Sequence, residues 1–216
     1  MKKAFALLAL ASAMPLAAQS FEVGLFAGQQ SYKEISSPND PGLFSVKVDS
    51  KTVLGARFGY SLVDLGPALF QVTVGYQPGT WANAHTTFHT QPLPSQAFSS
   101  TSGFKESNWS AGLMFNFKAF VAIGAGVEYR GEKLTMEGAG TSNPSTNYGR
   151  PWARVNVGYS FPLPVVKPFV GVEAAMPLTT ASAPANYGFT SSSDTDGSLK
   201  AHAPNFQVGV YGGIRF

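Results

Sequence analysis

The sequence predicts an all-β fold, an up-and-down antiparallel barrel of about eight strands that spans a membrane. Three observations carry that prediction. Charged residues make up only 12% of the 216-residue chain, about half the usual share for a soluble domain. Apolar and polar residues alternate with period 2 in about eight segments, each near the ~10 residues that a tilted membrane strand needs. The connections between those segments are short and long by turns.

The amino terminus is set aside first. Lys2 and Lys3 precede the apolar run Ala4–Ala13, and small residues close the stretch at Leu16-Ala17-Ala18. This is the pattern of a secretory signal peptide, expected over residues 1–19, and it leaves a barrel domain over 20–216. The chain has no cysteine, which excludes a disulfide framework, a thiol nucleophile and a cysteine metal site. With Lys2 and Lys3 removed, thirteen basic residues face twelve acidic ones, so nucleic-acid binding has no electrostatic support.

The segments follow in order. Phe21, Val23, Leu25 and Ala27 share one face of the first, which runs from about Phe21 to Tyr32. The second sets Leu54, Ala56, Phe58 and Tyr60 against Gly55, Arg57 and Gly59, and the third sets Phe70, Val72, Val74 and Tyr76 against Gln71, Thr73 and Gly75. Trp109, Ala111, Leu113, Phe115 and Phe117 mark the fourth. Val121, Ile123, Ala125, Val127 and Tyr129 mark the fifth. Ala153 to Phe161, Val170 to Met176 and Phe206 to Phe216 complete the series, and no helical period competes after the signal peptide.

Short connections fall at 63–68, 118–119 and 162–167. Long polar ones fall at 33–52, a stretch able to extend the flanking strands, and at 78–108, 131–150 and 178–204. An up-and-down membrane barrel places all short turns at one rim and all long loops at the other. Orientation of the faces follows from their composition. The polar face is Gly, Gln, Asn, Ser and Thr with few Lys, unlike a sheet that faces water. The apolar face carries Phe21, Phe70, Phe117, Phe161 and Phe216 near the short turns, and Tyr76, Trp109 and Tyr129 near the long loops. Two aromatic girdles around a Val/Leu/Ala belt suit a bilayer.

The final strand, Val208-Gly-Val-Tyr-Gly-Gly-Ile-Arg-Phe216, resembles the closing strand of small eight-stranded outer-membrane barrels of the OmpX, OmpW and OmpA membrane-domain kind. Gly212 departs from the hydrophobic residue expected there. The resemblance implies a location in the cell outer membrane, reached through the periplasm, and contact with outer-membrane lipid and lipopolysaccharide. It also implies that Phe216 is an assembly signal read by the barrel-assembly machinery, with no separate cell-wall-binding domain.

On the inward face the sequence places Glu22, Glu128 and Glu173 together with Arg57, Arg130, Arg154 and Arg215. Glu128, Arg154 and Glu173 lie at similar heights on neighbouring strands, so they are expected to form one mutually neutralised network, since isolated charges are costly there. Glu22 and Arg215 lie near the rim on the two strands that close the barrel. Eight strands leave an interior that side chains just fill, and Phe26, Met114, Trp152, Phe169 and Tyr211 point into it. The alternative use of the same residues is a narrow channel or carrier for small, including hydrophobic, solutes.

His85, His89 and His202 are expected in loops, where the four-residue spacing of the first two lacks the helix that would make it a metal pair. Asp194-Thr-Asp196-Gly197 reads as a polar turn, not a calcium loop. Some barrels of this kind modify lipid A. No Ser/His/acid set is placed by strand register here, and nothing resembles their His-x-Ser-Asn motif. The expectation is therefore a non-enzymatic scaffold with no cofactor and no metal, presenting its long loops to the outside, where the sequence names no partner.

Overall fold

The computed structural model describes residues 21–36, 44–89, 97–137, 143–161, 163, 166–182 and 192–216. The signal-peptide span 1–19 lies outside them. Ten strands form one antiparallel sheet: β1 (Phe21–Tyr32), β2 (Ile35–Ser36), β3 (Phe44–Val48), β4 (Lys51–Asp64), β5 (Ala68–His89), β6 (Ala97–Lys118), β7 (Ala122–Met136), β8 (Ser145–Ser160), β9 (Lys167–Pro177) and β10 (Pro204–Arg215). Among the described residues one helix, α1 (Ser192–Ala201), precedes the last strand. Eight strands close a ring in the order β5-β4-β1-β10-β9-β8-β7-β6, and β6 returns to pair with β5. Closure leaves no unpaired edge at membrane depth.

The two faces separate as the alternation requires. Val127, Val155 and Val172 are each more than half exposed on the outside, while their chain neighbours Glu128, Arg154 and Glu173 are buried inside. At the short-turn rim Phe21 packs on Phe58 and Tyr60 with ring centroids 5.8 and 5.3 Å apart. At the other rim Trp109 and Tyr129 lie 5.9 Å apart. Phe216 is 55% exposed on the outer face, and its amide donates to Phe21 O at 2.9 Å, which locks the end of the chain to the first strand. Arg introduced at Val127, Val155 or Val172 is expected to cost about 2–4 kcal/mol, as for a cation at the bilayer midplane. Arg at Asn156, which borders a lumen cavity, is expected to cost less. Urea unfolding of the barrel in lipid vesicles measures both, and equal losses at the two kinds of site would reverse the face assignment.

Above the long-loop rim the fold differs from the sequence expectation. Much of the connection expected over 78–108 is strand: β5 and β6 are each 22 residues long and pair as far as His89 and Ala97. His85 therefore sits on a strand, between Lys47 of β3 and Thr101 of β6, and His89 ends β5. The pairing of β5 with β6 slips between Gln77 and Thr80, at Pro78-Gly79. The inward parity thereby changes from odd residues (Gln71, Thr73, Gln77) to even ones (Ala82, Ala84). A proline lacks the amide a regular ladder needs, and such a bulge hides the strand's continuation from a period-2 reading.

The polar turn expected at Asp194–Gly197 is also corrected, because it lies within α1. Ten residues containing a glycine make a marginal helix alone. It is held by docking: Leu199 and Ser198 are fully buried, and Asp196 accepts hydrogen bonds from Thr146 of β8 and from Lys200. Lys200 and Thr146 hold the Asp196 carboxyl below its ordinary range.

Candidate functional site: a filled lumen

The lumen is occupied in tiers, each built from the inward positions of several strands. At the short-turn rim, Glu22 of β1 and Arg215 of β10 are directly paired residues across the closing seam. Arg215 Nε and Nη2 donate to Glu22 Oε2 at 3.1 and 2.5 Å. Gln71 donates to the same carboxylate at 3.3 Å, and Asn116 donates to Gln71 at 2.9 Å.

The middle tier holds the charges at membrane depth. Arg57 of β4 grips Glu173 of β9 with two parallel hydrogen bonds, 2.6 and 2.9 Å, the bidentate geometry that makes Arg–carboxylate pairs strong. Glu128 of β7 takes Arg130 Nε at 2.6 Å and Arg154 Nη1 at 2.8 Å. Arg154 also donates to Thr73 Oγ1 at 3.0 Å, and its Nε lies 3.2 Å from Met114 Sδ. The expected trio of Glu128, Arg154 and Glu173 is thus divided into two clusters, Arg154 with Glu128 and Glu173 with Arg57. Strand position alone gave the heights of these groups but not which way each long side chain reaches.

Of the upper tier, the sequence places Arg130 and Trp152 inside the lumen, but not Gln30, Lys51, Glu106, Glu132 or Arg150. Arg130 continues to Gln207, which donates to Gln77 at 2.9 Å, and Gln77 in turn donates to Gln30 at 2.9 Å. Glu106, fully buried, accepts from Gln30, Gln77 and Asn108 at 3.0, 3.2 and 2.8 Å and has Lys51 Nζ at 3.7 Å. Glu132 pairs with Arg150 at 3.1 Å and accepts from Trp152 Nε1 at 3.0 Å. The guanidinium carbons of Arg130 and Arg150 lie 4.0 and 5.0 Å from the Trp152 ring centre, within cation–π range. The signal that could have found Glu132 is its parity: Glu128, Arg130, Glu132, Leu134 and Met136 alternate without a break, and all are buried.

Over this tier lies an apolar layer of Val48, Ala82, Ala84, Phe104, Leu134 and Met136, closed from above by Leu199 of α1 and Ala203. Tyr32 and Tyr148 pack against it. His202 is fully buried here, 6.0 Å from the Phe104 ring in an edge contact, and burial pushes its imidazole down to about 4. Arg150 donates to the carbonyls of Thr179 and Pro204, tying the segments on both sides of α1 to the barrel wall.

Two cavities within the lumen, both bordered by described residues, are small. One cavity of about 40 Å³ is bordered by Arg57, Asn116, Arg154 and Tyr211, and another of about 20 Å³ by Phe26, Arg130 and Gln207. Each has room for ~1–4 waters. Chemically the arrangement pairs five carboxylates with six cations, every carboxylate within 4 Å of a cation. Among the described residues no group of three or more His, Asp or Glu is placed to hold a metal ion.

No family model matches the chain, and no curated protein matches it. Among solved structures it is similar to Ail, the attachment invasion locus protein of Yersinia pestis, at 12% identity and a TM-score of 0.46 over 92% of this chain and 99% of that one. It is also similar to neisserial surface protein A, at 12% identity and a TM-score of 0.43 over 91% and 94% of the two chains. The outer membrane protease OmpT of Escherichia coli aligns at 9% identity and a TM-score of 0.47 over 92% and 96%. With its closed eight-stranded ring, apolar outer belt and polar, side-chain-filled interior, the chain is a small transmembrane β-barrel of the outer-membrane type.

Proposed function

We propose that the protein is a non-enzymatic scaffold of the outer membrane, closed along its axis, that holds a rigid sheet and loop platform on the outer side. One observation carries this reading: the lumen is blocked twice. Paired charges fill it at membrane depth, and an apolar layer under α1 fills its mouth. A conducting path needs a continuous run of water, and the two described cavities between these tiers have room for only about 40 and 20 Å³ of it. The extended β5–β6 hairpin and the added strands β2 and β3 give the platform a sheet core where a flexible loop would be costly to order on binding.

The test is planar-bilayer recording of the purified, folded full chain. The expected result is no steady conductance above the bare bilayer. Steady single-channel conductance at neutral pH would replace the scaffold with the narrow channel or carrier. A change in lipid A mass in a host expressing the chain would replace it with a lipid-modifying enzyme.

A further inference from the structure

The charges of the lumen do not balance at membrane depth. In the upper tier Lys51 and Arg150 are matched by Glu106 and Glu132. Below it Arg57, Arg130, Arg154 and Arg215 share only Glu22, Glu128 and Glu173. Among the described residues one guanidinium is therefore in excess there, where an uncompensated charge is costly.

The pairing shows which one it is. Arg215 has Glu22 to itself, and Arg57 holds Glu173 with two hydrogen bonds. Glu128 serves two cations, and its Oε1 is taken by Arg130 Nε. Arg154 Nη1 lies 2.8 Å from the other oxygen but makes no hydrogen bond with it. Otherwise Arg154 donates to the Thr73 hydroxyl and to the Met114 thioether, a weak acceptor. At 2% exposure it has no bulk water to make up the difference.

Arg154 borders the larger lumen cavity, of about 40 Å³, and Arg57, Arg215 and Tyr211 border it too. Among the residues that line it the only carboxylate is Glu22, which already accepts from Arg215 and Gln71. The lining reaches Ser160 and Arg215, the last residues of β8 and β10, so the cavity is approached from the short-turn rim. Its volume suits a monatomic anion with ~1–2 waters. We infer that this cavity binds a small monovalent anion, the size of chloride, as a structural part of the closed lumen. The inference rests on the filled-lumen reading above. The ion lies against Arg154, between Arg57 and Arg215, and its charge cancels the excess guanidinium. Asn156 Oδ1, an acceptor on the same wall without a donor, takes a hydrogen bond from a water beside the ion.

Urea unfolding of the full chain in vesicles tests this at one ionic strength, with potassium chloride exchanged for potassium gluconate, whose anion is too large for the cavity. The wild-type midpoint is expected to be higher in chloride by on the order of 1 M, the linkage effect of a well-filled site. Thr73→Asp builds the missing negative charge into the cavity wall, at the side chain that already accepts from Arg154. This variant is expected to lose the chloride response and, in gluconate, to be more stable than the wild type. Without an excess cation the same buried carboxylate would destabilise the barrel in both salts. In crystals of the wild type grown in bromide, an anomalous peak is expected in this cavity within hydrogen-bonding reach of Arg154. A wild type equally stable in both salts, or a bromide crystal with no peak at Arg154, would overturn the inference. A peak there without any chloride response marks an adventitious ion only, and overturns it as well. None of these results touches the scaffold reading, which planar-bilayer conductance decides separately.

Discussion

Glu173→Leu is expected to destabilise the barrel by ~3–5 kcal/mol, the usual loss when one partner of a buried ion pair is removed. The reason is local. Arg57 would keep its guanidinium on the cavity it shares with Arg154, with its bidentate acceptor gone. Replacing both members, Arg57→Met with Glu173→Leu, is expected to recover most of that loss, because no uncompensated charge remains. The pair Arg154→Met with Glu173→Leu is not expected to recover it, since it strands Arg57 and also strips Glu128 of one of its two cations. Urea unfolding of all four proteins in vesicles gives the coupling energies. Equal coupling of Glu173 to Arg57 and to Arg154 would mean that the middle tier is one diffuse, wet network.

Acid is expected to undock α1 from the barrel mouth without unfolding the barrel. His202 titrates at about 4 when buried, against an ordinary value of 6.5. Between those values the undocked segment binds a proton that the docked one refuses, so docking is complete above about 6.5 and weakens as pH falls towards 4. The full effect is up to ~3 kcal/mol. Asp196 cannot supply this window, because Lys200 and Thr146 hold its carboxyl below its ordinary range. The charges beneath the apolar layer, Lys51, Glu106, Glu132 and Arg150, are engaged with one another and with the barrel wall. Hydrogen exchange of the amides of residues 192–204 should quicken from pH 7.5 to 4.5, after correction for intrinsic rates. In His202→Leu it should stay slow across the range. Protection that ignores pH in the wild type, or responds equally in the variant, would refute the mechanism.

The strands that cross the apolar belt were legible because their inward and outward environments differ so sharply. A one-residue slip would put Glu128 or Arg154 into lipid and Val127 or Val155 into the lumen, so the sequence must keep strict parity there. The aromatic rows at both rims follow from the same constraint. Above the membrane that pressure relaxes, and the legibility goes with it. Pro78-Gly79 shifts the register of β5, so the alternation breaks there and suggests a loop where the strand continues to His89. Ser192–Ala201 carries too few apolar residues to announce a helix, and folds as one because the barrel offers Leu199 a place to bury.

The sequence by itself determined the class of the molecule, the eight strands that close the ring, the lipid-facing and lumen-facing sides, and the heights of the inward charges within the apolar belt. Each follows from local periodicity read against a bilayer. The tertiary structure decided which charge meets which, because Arg and Glu side chains are long enough to choose among several neighbours at the same height. It placed Glu173 with Arg57 and Glu128 with Arg130 and Arg154. It also brought Leu199 and His202 over Phe104. No spacing along the chain encodes that contact, since it forms only when eight strands have closed a ring.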